Sequence, residues 1–124
     1  MVESARDGES MVEFIQVSTT VDRKNRADKI AKRILLERLA SCVQVLGPIT
    51  SSYWWKGRIE LTQEWLCLIK ARASDYSRIE DSIKKIHPYE VPEILASPIL
   101  RGNEDYLDWI IRETTRKVRP VRKT

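Results

Sequence analysis

Residues 42–72 read CVQVLGPITSSYWWKGRIELTQEWLCLIKAR, and the fold turns on them. Cys42 to Leu46 is an apolar run closed by Gly47-Pro48, and the chain stays β-like through Ile49, Thr50, Tyr53, Trp54 and Trp55. Lys56-Gly57 forms a tight hairpin turn, because glycine supplies the positive φ that such a turn demands. From Arg58 the alternation is regular: Ile59, Leu61, Trp65, Cys67, Ile69 and Ala71 share one face. Glu60, Thr62 and Glu64 share the other, which turns apolar at Leu66 and Leu68. This strand therefore begins with one dry face and ends dry on both.

Upstream of the hairpin, Val12 to Thr19 is rich in β-branched residues and predicts a strand. Asp22 can cap a helix in which Ala27, Ile30, Ala31, Ile34, Leu35 and Leu39 recur at helical spacing, with Lys29, Lys32, Arg33 and Arg38 on its solvated side. Downstream, Ser77-Arg78-Ile79-Glu80 fits a capping box, with Ser74 as a rival cap, and Ile79, Ile83 and Ile86 give a second, shorter stripe. His87-Pro88 ends that helix, since a residue before proline avoids the α region. Val91 to Leu100 is a fourth strand, and Pro92 and Pro98 near its ends point to an edge or a strand start rather than a central ladder position. Asn103, after Gly102, caps a last helix whose apolar residues are Tyr106, Leu107, Trp109, Ile110 and Ile111. The order βαββαβ plus a C-terminal helix predicts an α+β, ferredoxin-like sandwich with a long central hairpin.

With 124 residues the chain suits one domain. Residues 1–10 are polar and aperiodic, and Met1-Val2-Glu3 is echoed by Met11-Val12-Glu13, so we expect a disordered extension there, a folded domain over 11–115 and a basic flexible tail over 116–124. The net charge of +4 is uneven: Glu3, Asp7 and Glu9 oppose Arg6 at one end, while Glu113 alone opposes the basic residues of 112–124. A charge concentrated in a tail argues against a nucleic-acid-binding face. Cys42 and Cys67 lie in apolar runs without CxxC spacing, which favours free thiols in a reducing compartment. No apolar stretch approaches the ~20 residues of a membrane span, and no secretory leader is visible, so the cytoplasm is the expected location, without membrane insertion.

The hairpin also bears on assembly. About 14 residues at ~3.3 Å each give its second strand a length of roughly 46 Å. A compact chain of this size has a diameter near ~35 Å, so part of the hairpin overhangs its own domain and carries Tyr53, Trp54 and Trp55 with it. A closed ring of copies would cover both the aromatics and the open strand edges. The alternative is a bend at Gly47-Pro48 that returns the aromatics to the protomer's own core.

Five segments, in order along the chain, resemble the CutA family. Glu37-Arg38-Leu39-Ala40-Ser41-Cys42-Val43 is similar to its helix-to-strand junction, Tyr53-Trp54-Trp55-Lys56-Gly57 to its hairpin tip and Leu68-Ile69-Lys70 to the strand that follows. His87-Pro88-Tyr89-Glu90-Val91-Pro92-Glu93-Ile94 resembles its signature segment, and Gly102-Asn103-Glu104-Asp105-Tyr106-Leu107-Asp108-Trp109 the start of its last helix. The resemblance implies a homotrimer built by strand pairing between subunits, similar in shape to PII signalling proteins, with Tyr53, Trp54, Trp55 and Gly57 in hairpin packing. It also implies a link to tolerance of copper and other divalent cations.

His87 is the sole histidine, and with Glu90 beside it the resemblance makes it a metal ligand. Imidazole suits copper, zinc and nickel, and binding requires the neutral ring, so affinity would fall below pH ~6.5. Ser18 stands where some family members place a cysteine, which removes a soft copper(I) donor. The competing reading is structural: a histidine in a helix's last turn bonds free carbonyls at the negative dipole end, and Glu90 pairs with a cation at an interface. Lys70 in an apolar strand needs an anionic partner. That partner is either an interface carboxylate or a small anionic ligand, with Tyr106 and Trp109 nearby by resemblance. The functions in view are a metal-binding, metal-responsive trimer, a PII-like sensor of a small anion, or a structural trimeric scaffold for a protein partner. An enzyme is disfavoured: Thr19-Thr20-Val21-Asp22 occupies the place of the arginine-bearing phosphate loop of acylphosphatases, and no Ser/His/Asp set is evident.

Overall fold

The computed structural model describes residues 12–116, so the expected N-terminal extension and all but the first residue of the expected tail lie outside the described residues. The elements are β1 (Phe14–Val21), α1 (Lys24–Leu36), β2 (Cys42–Trp55), β3 (Arg58–Arg72), a 3₁₀ turn (Ala73–Asp75), α2 (Tyr76–Ile86), β4 (Ile94–Ile99) and α3 (Glu104–Thr114). They form one antiparallel sheet in the order β2-β3-β1-β4, which is the ferredoxin-like α+β arrangement.

Strand parity divides the core. Ile15, Val17 and Val21 of β1 and Cys67, Ile69 and Ala71 of β3 bury one sheet face against Ala27, Ile30 and Ile34 of α1 and Ile79 and Ile83 of α2. The opposite face carries Phe14, cross-strand from Arg72. There α3 packs with Ile110 and Thr114 buried, and the Arg72 Nε donates to Thr114 Oγ1 at 3.0 Å. Cys42 lies opposite Lys70 and Cys67 opposite Val45, so the two thiols sit on different faces of the sheet, and both are free.

The hairpin is continuous through its tip. Lys56 (φ 51°) and Gly57 (φ 80°) are both left-handed, as the type I′ turn requires. The pairing slips between Leu46 and Ile49, and a Cβ on Gly47 would run into the Trp65 indole, so this bulge admits only glycine. The bulge does not return the aromatics to the core: Trp54 is 71% exposed in the protomer. Ile59 and Leu61 share the phase of the buried Cys67 and Ile69 but project beyond the helices and stay exposed. Glu64, expected on the polar face, is buried instead.

Several boundaries differ from expectation. α1 starts after Arg23, and Asp22, instead of capping it, accepts the Arg26 Nη1 at 3.2 Å. α2 starts at Tyr76, which places Ser77 inside the helix and removes the capping box. Its N-cap position is Asp75, whose carboxylate is drawn to Arg78 and Arg116 rather than to the helix N–H groups. β4 is shorter than 91–100, with Pro92 before it and Pro98 within it on the sheet edge. Asn103 does occupy the N-cap of α3, though its main-chain carbonyl, not its side chain, receives Tyr106 and Leu107 N–H. Arg116, expected at the start of the tail, is tied to Asp75 at 2.7 Å.

Candidate functional site: an acidic, aromatic-walled cleft

Proline 88 forces His87 out of α2 into extended backbone, and this aims the imidazole at the end of β1. Its Nε2 lies 2.8 Å from the Thr20 carbonyl, and its Nδ1 accepts the Tyr89 N–H at 3.2 Å. A ring that accepts at Nδ1 and faces a carbonyl at Nε2 is neutral with the proton on Nε2. Burial pushes its pKa below the usual histidine range, against the upward pull of the Thr20 carbonyl, Asp22 and Glu64.

Tyr89 stacks edge-on against His87, ring centroids 4.8 Å apart, and donates its hydroxyl to Glu64 Oε2 at 2.6 Å. Burial first and the Glu64 carboxylate second push the phenol pKa up, so Tyr89 keeps its proton. This pairing explains how a glutamate only 5% exposed persists on a strand. Together Thr20, Glu64 and the 89–93 segment face residues 51–55 of the hairpin across a cleft of about 660 Å³. Glu64, Glu90 and Glu93 line it beside Tyr53, Trp54 and Trp55, and among the described residues no Lys, Arg or His side chain does.

The sequence-derived sites are placed as follows. Glu90 lines the cleft, whereas His87 stands behind Tyr89 with both ring nitrogens engaged. Ser18 lies mid-β1, opposite Leu68 on one side and Leu95 on the other. Among the described residues no three His, Cys, Asp or Glu side chains gather closely enough to hold a metal ion. Lys70 donates to Gln44 Oε1 at 2.7 Å and lies cross-strand from Cys42. Tyr106 sits beside that same cysteine, its pKa raised by burial and then by Cys42, and packs on Trp109 with centroids 5.4 Å apart. The three residues thus border one region of the sheet's second face, outside the cleft. Gly57 holds the hairpin turn. Sequence reasoning missed Glu64 and Tyr89. The available signal was a carboxylate set at the boundary where its face of β3 turns from polar to apolar.

Comparison with known proteins agrees with the fold. The family described as CutA1 divalent ion tolerance protein matches residues 15–113. The chain belongs to the CutA1 family. The divalent-cation tolerance protein CutA of Thermus thermophilus is 43% identical over 99 residues, which cover 80% of this chain and 95% of that protein. CutA1 of Oryza sativa superposes with a TM-score of 0.82 at 38% identity, over 86% of this chain and 97% of that one. A CutA structure from Archaeoglobus fulgidus, described as periplasmic, gives 0.80 at 36% identity over 82% and 99%. CutA1 relatives are named for tolerance, not for a reaction. No helix among the described residues is long and apolar enough to cross a membrane.

Proposed function

We propose that this CutA1 chain works as a ring of three copies that binds a divalent cation in divalent-cation tolerance, and that it is not an enzyme. The observation that carries this reading is the cleft's composition: three glutamates with no basic neighbour in the lining among the described residues, at the foot of an exposed aromatic hairpin. Uncompensated carboxylates attract a cation, and exposed tryptophans are stabilised when a sister copy covers them. Closing the ring would bring a neighbour's donors to the cleft and complete a ligand set that one protomer lacks.

Within that set Glu90 is a direct ligand, while His87 joins only by giving up its bond to Thr20 or Tyr89. Oxygen and imidazole donors, with Ser18 in place of a cysteine, favour copper(II) over copper(I), and copper(II) heads the divalent affinity order at such donors. Two free cysteines suit a reducing cytoplasm.

Titration calorimetry of copper(II) and zinc into the full chain tests this. Glu90→Gln should weaken copper(II) binding about tenfold, roughly 1.4 kcal/mol. His87→Ala should weaken it further at pH 7 than at pH 5.5, where the ring is more often protonated. Equal affinities in the wild type and both variants would remove the cleft from the function.

A further inference from the structure

The three glutamates of the acidic cleft are spread along its walls rather than gathered. They line one space of about 660 Å³, yet among the described residues no three His, Cys, Asp or Glu side chains converge closely enough to hold a metal ion. A point charge reaches one or two of them, whereas a chain of charges reaches all three. We infer that this cleft also takes an aliphatic polyamine, its ammonium groups on the carboxylates and its methylene links on the aromatic wall. This rests on the reading of the cleft as a cation site, and it names a second class of cation for that site.

Glu64 supplies the strongest pull. It lines the cleft and is only 5% exposed. Tyr89 donates its hydroxyl to Oε2 at 2.6 Å, and Oε1 receives no hydrogen bond among the described residues. Nor does Glu64 form an ion pair among them. A buried carboxylate is normally matched by a cation or by several donors, so this one has capacity left for a charged N–H group. The Arg26 guanidinium, near His87, is committed to Asp22 at 3.2 Å and stays out of the lining. Glu90 and Glu93 are exposed and lie in the segment between α2 and β4, so their Cα atoms are at most ~11 Å apart. Ammonium groups joined by a few methylenes suit carboxylates spaced in this way.

The facing wall is aromatic, formed by Tyr53, Trp54 and Trp55. Ring faces attract an ammonium group, and methylenes gain by leaving water against them. The chain already shows the first preference: the Lys56 ammonium lies 5.7 Å from the Trp55 ring centroid, outside the lining of the cleft. A metal held by oxygen and nitrogen donors has no use for such a wall. Carboxylates that fix charge and orientation, set in a concave aromatic site, are what an elongated organic cation requires.

The test is calorimetry on the full chain at ~0.1 M salt, with spermidine, putrescine and butylamine as probes and copper(II) titrated separately. Affinity should rise with the number of ammonium groups, and spermidine should bind at least about tenfold more tightly than butylamine. Glu93→Gln should weaken spermidine binding about tenfold, and Trp55→Leu about threefold, as loss of an exposed cation–π contact does. Ser52→Glu adds a carboxylate to the lining and should strengthen spermidine binding severalfold, a result that a misfolded protein does not give. A wild type that binds copper(II) but not spermidine overturns this inference and leaves the metal reading standing. Binding of spermidine without copper(II) removes the metal and leaves the polyamine. The inference is also overturned if neither Glu93→Gln nor Trp55→Leu changes spermidine affinity. It fails too if Glu93→Gln lowers the mass seen by light scattering while spermidine has no effect, which identifies a sister copy's lysine or arginine as the occupant.

Discussion

The two halves of β3 obey one alternation and meet opposite fates. Ile69 is wholly buried beneath α1 and α2, whereas Leu61, on the same face and eight residues earlier, is 66% exposed. The difference is not in the pairing, since β3 pairs with β2 on both sides of the bulge, from Arg58 to Glu64 and from Leu66 to Lys70. It lies in what covers the strand: helices over one half, and none of the described residues' helices over the other. Phase can be read from alternation, but burial depends on the neighbour that fills the space. An exposed apolar half on a paired strand is a candidate surface for a partner.

That contrast can be broken by paired truncations. Ile69→Ala should destabilise the protein by about 3 kcal/mol, the cost of an unfilled core site. Leu61→Ala should change protomer unfolding by less than about 0.5 kcal/mol, as at any exposed site, yet weaken association. Urea unfolding with light scattering at micromolar concentration separates the two effects. If Leu61→Ala left the assembly unchanged, its half of the hairpin would not be an interface.

Much of the fold was legible because it rests on local rules. The β-branched run of β1, the Lys56-Gly57 turn, the proline-limited end of α2 and the N-cap position of Asn103 each follow from residues within a few positions of the feature. Asp22 failed as a cap because of a local partner, Arg26, but elsewhere a distant residue had intervened. The start of α2 moved ahead of the Ser77–Glu80 pattern because Asp75 pairs with Arg116, and Ala73 N–H bonds the Glu13 carbonyl at 2.8 Å. The cleft was harder still. His87 and Glu90 stood out by composition, but the Tyr89–Glu64 bond joins residues 25 apart, and no periodicity marks it.

The boundary between the two halves can be sharpened through His87. Tyr89 covers Glu64, and the neutral imidazole holds Tyr89 by accepting its N–H. The folded-state pKa of His87 is lowered, so the stability linked to its neutral form is complete above the unfolded value of ~6.5 and is lost as pH falls from there toward the folded value. Protonation places a second N–H against that of Tyr89 and loosens the cover. The urea midpoint of the wild type should therefore drop between pH 7 and pH 5.5 more than that of His87→Gln. The near-ultraviolet signal of the tyrosines should change over the same range. Parallel pH profiles for the two proteins would detach the imidazole from the cover over Glu64.

The smallest expected effect lies at the far end of the overhang. Lys56 occupies left-handed backbone that a lysine adopts only at a cost, and its ammonium lies 5.7 Å from the Trp55 ring centroid. Asparagine tolerates that conformation better, so Lys56→Asn should gain about 0.5 kcal/mol from the backbone. The lost cation–π contact would take back roughly the same amount at so exposed a site. The net change should be near zero for the protomer, and chemical unfolding would show it. If a sister copy covers Trp55 in the ring, however, the ammonium there is drier and the contact stronger, so the same substitution should destabilise the assembled form while leaving the protomer unchanged. A measurable loss confined to the assembled form would show that the tip, and not only Leu61, lies within the interface between copies.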